Sequence, residues 1–88
     1  MTDVRSVTPG WRPVGMCWEG DEFDLEGIDP WDHEWESQSE QIVVAHPAYP
    51  AQRHVVDVWV IRAPDRIVRF AAGELSNLAY VFFLPEYQ

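Results

Sequence analysis

Lysine is missing from this chain of 88 residues, and its six basic side chains, all arginine, stand against fifteen acids. A net charge of −9 argues against DNA, RNA and anionic lipid as ligands, because phosphate recognition depends on neutralisation by basic side chains. Cysteine occurs once, as Cys17, so neither an internal disulfide nor a thiolate metal cluster can form within one chain. There is no apolar run long enough to span a bilayer, and Met1 to Arg5 lead into no apolar signal region, so a soluble, cytoplasmic protein is expected. Apolar residues themselves are plentiful. At 47% hydrophobic, with five tryptophans, four phenylalanines and three tyrosines, the chain lies outside the disordered class and is expected to fold as one domain over 1–88, with 1–10 as a loosely held arm.

The surplus charge is concentrated in one stretch. Between Pro13 and Gln52 there are ten acids and no arginine: Glu19, Asp21, Glu22, Asp24, Glu26, Asp29, Asp32, Glu34, Glu36 and Glu40. That stretch carries −10, and the rest, six arginines against five acids, carries +1. Trp18, Trp31 and Trp35 are interleaved with the acids. Aromatic rings flanked by negative charge suit arginine or lysine through ion pairing and cation–π contact, so the pattern favours a surface for a basic, partly apolar partner over a catalytic pocket.

Hydrophobic periodicity predicts a mainly β or α+β fold, a small antiparallel meander or barrel of about six short strands with at most one short helix. Val14, Met16 and Trp18 alternate with small residues, and Phe23 and Leu25 alternate with Asp24 and Glu26. A hairpin over Val14–Glu26 turning at Gly20-Asp21 is therefore expected, with Trp18 packed. Asp29-Pro30-Trp31-Asp32 reads as a helix start, with Asp29 as cap and Pro30 in the first helical position, and the helix is expected to reach about Gln38. Trp31 and Trp35 would share one side of it and be partly exposed. Further strands are expected at Gln41–His46, His54–Arg62, Ile67–Ala72 and Leu78–Leu84, with reversals at Ala63–Arg66 and Gly73–Asn77. Asp57 interrupts an apolar face and is expected to pair with Arg69 across a hairpin; the alternative is that it faces a partner.

Glu22, Asp24, Glu26 and Gly27 imitate half of an EF-hand loop, but its twelfth position would be His33 rather than glutamate, so no calcium site is assigned. His33, His46 and His54 match no compact zinc spacing, and no metal or other cofactor is assigned. Ser76 lacks the Gly-x-Ser-x-Gly context of an exposed nucleophile, and no catalytic residue is assigned.

Two blocks, His46-Pro47-Ala48-Tyr49-Pro50-Ala51-Gln52-Arg53-His54 and Phe70-Ala71-Ala72-Gly73-Glu74-Leu75-Ser76-Asn77, resemble paired segments of small uncharacterised bacterial proteins. In size and acidity the chain is similar, as a type, to the immunity proteins of bacterial toxin systems. That resemblance implies a non-enzymatic protein that binds, and inhibits, a basic partner such as a toxin or nuclease. The expected contact residues are Glu19, Asp21, Glu22, Asp24, Trp31, Asp32, Glu34, Trp35 and Glu36. Two alternatives stay open: a small metal-dependent or hydrolytic enzyme using His46, His54 and nearby carboxylates, and an accessory subunit or homodimer that exposes a sheet edge. The oligomeric state is not legible in the sequence.

Overall fold

A computed structural model describes residues 6–76 and 79–86 of the chain. It is mostly β, with one five-stranded antiparallel sheet formed by β1 (Trp11–Trp18), β2 (Glu36–Ala45), β3 (Arg53–Ala63), β4 (Arg66–Ser76) and β5 (Ala79–Pro85). The spatial order is β1-β5-β4-β3-β2, so β2 to β5 form a continuous meander and the first strand joins its far edge. The two edges approach each other. Thr8, just before β1, donates its N–H to the Val43 carbonyl and accepts from the Val43 N–H on Oγ1, both at 2.9 Å.

Five strands replace the expected six because the hairpin over Val14–Glu26 does not form. A turn does follow β1, one residue earlier than expected, at Glu19-Gly20, with the Asp21 N–H donating to the Trp18 carbonyl at 3.0 Å. Beyond it the chain leaves the sheet, and β1 takes β5 as its only ladder partner, with Met16 opposite Val81 and Trp18 opposite Ala79. Local side-chain bonding explains the departure: Asp24 Oδ1 accepts from the Gly27 N–H at 2.9 Å, and Leu25 and Ile28 exchange backbone bonds at 2.7 and 3.1 Å. Such a tight turn competes directly with an extended ladder.

The expected helix is likewise reduced, here to a single 3-10 turn over Pro30–Asp32. Its start is as read: Asp29 Oδ1 accepts from the Trp31 N–H at 3.0 Å, and Pro30 occupies the first turn. His33 is already extended at φ −133°, ψ 159°, and β2 begins at Glu36, five residues before the expected Gln41. One turn of helix has too few backbone bonds to persist, whereas the same residues gain a partner in β3.

Near-continuous apolar runs in β4 and β5 are buried on both faces. One face carries Ile42, Val44, Val56, Val58, Ala71, Leu75, Val81 and Phe83, with Trp11 packed against them. The other carries Ile61, Val68, Phe70, Ala72, Phe82 and Leu84, and is covered by Phe23, Leu25, Ile28, Trp31 and Trp35 from the segment between β1 and β2. The acidic stretch is thus a strap whose apolar residues reach down to the sheet. Gly15 makes room for it: a Cβ there would stand 2.7 Å from the Phe23 ring, which instead lies over bare backbone and stacks on Phe82 at 4.8 Å.

Irregularities steer the strands. β2 bulges between Ser37 and Gln41, with Ser39 in the left-handed region at φ 54°. The Ala63–Arg66 reversal is a tight turn at Pro64-Asp65, as expected. β4 continues through Ser76, so Gly73–Ser76, expected to begin a reversal, are strand; the remainder of that reversal, at Asn77, lies outside the described residues.

Candidate functional site: an acidic strap and an aromatic pocket

Nine of the ten clustered acids are exposed, and Asp29, held by its capping bond, is half-buried. Glu36 pairs with Arg62 at 2.8 Å and Glu40 with Arg69 at 2.9 Å, both solvent-exposed. Exposed pairs of this kind contribute at most about 1 kcal/mol and leave the side chains accessible. Among the described residues Glu19, Asp21, Glu22, Asp32 and Glu34 make no salt bridge. With Asp24 they give one side of the molecule a run of outward carboxylates.

Trp31 and Trp35 anchor the strap from beneath. Their rings lie 5.1 Å apart; Trp31 meets Tyr80 and Phe82 edge-on, and Trp35 meets Phe70, Phe82, Tyr80 and Trp59 in the same manner. Trp35 Nε1 also donates to the Pro30 carbonyl at 2.8 Å. Both rings are half-buried, so each keeps one part against the sheet and one part towards water. Trp18, expected to be packed, is 54% exposed, and Met16 beside it is 55% exposed. Without a second hairpin strand, nothing covers that end of β1.

Asp57 does not pair with Arg69. Arg69 stands opposite Val60 and Asp57 opposite Ala72, which puts the two side chains on opposite faces of the sheet. Asp57 Oδ1 instead accepts from Gln41 Nε2 at 3.1 Å, while the Arg69 guanidinium lies 5.0 Å from the Trp11 ring. Asp57 shares its face with Trp59, where it borders a pocket of about 380 Å³. Ala72 and Gly73 form the floor, Trp31, Trp35, Trp59 and Tyr80 the walls, and Asp57 and Glu74 supply two carboxylates. Gly73 lends the floor only its backbone, since its side-chain direction is towards the opposite face, where a Cβ would stand 2.8 Å from Val56 Cγ1. The Tyr80 hydroxyl titrates above its ordinary value of 10.0, first because burial disfavours the phenolate and then because the carboxylates of Glu74 and Glu19 oppose a further negative charge.

Sequence reasoning singled out Asp57 but missed Glu74 and Tyr80 as its neighbours. Their signal is parity: Asp57 and Trp59 on one strand, Glu74 and Tyr80 on two others, each on the face that turns towards the strap. Reading that parity required the register, which local pattern does not supply.

His46 and His54 belong to the opposite face of the sheet, with the parity of Val44 and Val56. His46 is buried, with Nδ1 accepting from the N–H groups of Ala48 and Tyr49 at 3.0 and 3.2 Å, so it organises the Pro47–Pro50 loop. His54 lies 5.9 Å away, ring to ring. Among the described residues no group of three or more histidine, cysteine, aspartate or glutamate side chains is disposed to hold a metal ion, so the hydrolytic alternative draws no support from this pair. No helix is long and apolar enough to cross a membrane. No protein-family model, curated protein or solved structure matches this chain.

Proposed function

We propose that the protein works by binding, presenting the strap from Glu19 to Glu40 to a basic partner protein, in the manner of an immunity protein that occupies the cationic groove of a toxin or nuclease. The carrying observation is that the acids of this segment point outward while its tryptophans lock it to the sheet. A pre-ordered anionic surface gains in two ways: its field steers a cationic partner into encounter, and little conformational entropy is lost on contact. Trp18, exposed next to Glu19, adds an apolar contact at the rim.

The test begins with a partner retrieved by the tagged chain, identified and purified. Association with the wild type is expected to slow about tenfold between low salt and about 0.3 M salt, and to be slowed similarly at low salt by the triple change Asp32→Asn, Glu34→Gln and Glu36→Gln. Equal rates for both proteins, with no response to salt, reject the reading. The accessory-subunit or homodimer alternative has one observation in its favour, since β1 is a sheet edge whose Met16 and Trp18 are exposed. Light scattering separates the two: a monomer at high concentration removes the homodimer.

A further inference from the structure

We propose that the pocket walled by Trp31, Trp35, Trp59 and Tyr80 is a receptor for one arginine side chain of the partner, with Asp57 and Glu74 as its counter-charges. The proposal builds on the reading of the partner as basic, but it concerns a different part of the molecule from the outward acids of the strap.

Two observations converge on it. The first is chemical composition: four aromatic rings and two carboxylates line the pocket, and among the described residues no basic side chain does. Aromatic faces attract cations through their quadrupole, most strongly where water is partly excluded, and a carboxylate at the rim adds a direct ionic term. The second is electrostatic. The phenol of Tyr80 resists ionisation, in part because Glu74 and Glu19 already place negative charge beside it, and the field that disfavours a phenolate favours a cation.

Geometry selects arginine over lysine. Asp57 lies opposite Ala72, so Glu74, two residues further along β4, is its diagonal neighbour on the same face, with Cα atoms roughly 7 to 8 Å apart by sheet geometry. An ammonium group is a compact point charge and meets one carboxylate at a time. A guanidinium is flat, stacks on indole, and fans five N–H donors widely enough to meet two separated carboxylates together. Its propyl stem is accommodated by the apolar walls of a space of about 380 Å³.

The experiment uses the full chain and a blocked arginine, N-acetylarginine N-methylamide, as probe, read by the indole N–H resonances in two-dimensional NMR. Saturable shifts are expected at Trp31, Trp35 and Trp59, with Trp11 and Trp18 as internal references. Blocked citrulline, the neutral isostere, should produce no saturable shift, and blocked lysine should bind several-fold more weakly. Asp57→Asn and Glu74→Gln should each weaken arginine binding about three- to tenfold, whereas Asp65→Asn at the distant β3–β4 turn, which removes the same charge, should not. Unperturbed chemical shifts elsewhere confirm that each variant is folded. Equal response to arginine and citrulline, uniform shifts at all five indoles, or full binding by the Asp57→Asn, Glu74→Gln double variant overturns the proposal. Its failure is separable from failure of the strap reading, which stands or falls on the salt response of association and on the triple variant of the strap.

Discussion

Single side chains here owe their roles to which face of a strand they occupy. Asp57 and Arg69 look complementary in sequence, yet the β3–β4 register sends them to opposite faces, and each finds a different neighbour, Gln41 for one and Glu40 for the other. Tyr80 offers a measurable consequence of such placement. Its folded-state pKa is raised, so the neutral phenol is favoured by folding; the associated stability is fully present below the unfolded value of 10.0 and is lost as pH rises through the folded value. In a phenolate absorbance titration one transition, assigned by its loss in Tyr80→Phe, should lie above the ordinary tyrosine value of 10.0. Glu74→Gln should lower its midpoint without restoring the ordinary value, because burial is the larger cause. If Tyr80 ionises at the ordinary value of 10.0, the carboxylate-lined pocket is not formed in solution.

Elements were legible in proportion to how much of their stability is local. The run Val55–Ile61 and the Pro64-Asp65 turn announce a hairpin, since alternation and a proline-initiated turn act over a few residues; β3 forms as read, and β4 runs on past the expected Ala72 to Ser76. The stretch from Phe23 to Trp35 carries strand spacing at Phe23 and Leu25 and helical spacing at Trp31 and Trp35, each too short to persist, and it becomes a strap because the sheet face beneath it needs cover. The joining of the sheet's edges is equally non-local, since Thr8 and Val43 are 35 residues apart. Thr8→Val, which keeps the shape and removes the acceptor, should cost about 1 kcal/mol in urea unfolding and speed hydrogen exchange at the Val43 amide. Unchanged protection of Val43 would mean that the edges are held by packing alone.

For the molecule as a whole the dominant feature is charge polarity. Ten acids in the strap repel one another, and among the described residues Arg62 and Arg69 pair with Glu36 and Glu40. Added sodium chloride should therefore stabilise the isolated protein. Between about 0.02 and 0.3 M, an increase on the order of 1 kcal/mol, about 5 °C in Tm for a chain of this size, is expected. Salt would then act in opposite directions on the two properties, strengthening the fold and slowing association with a cationic partner. A Tm that is flat or falls with salt would show that the acids are neutralised within the protein and leave no field to steer a partner.

From the residues alone came the β class, most strand positions, the outward acidic stretch, the capped start at Asp29-Pro30 and the oddity of Asp57. Each depends on interactions within a few positions of chain or on charge that cannot be buried without a partner. Tertiary structure decided the partner of β1, the loss of the expected helix, the exposure of Trp18 and the meeting of Asp57, Glu74 and four aromatic rings around one pocket. These rest on register and on the burial of a sheet face, which are properties of strands distant in sequence, and a one-residue slip in any of them would turn the same side chains the other way.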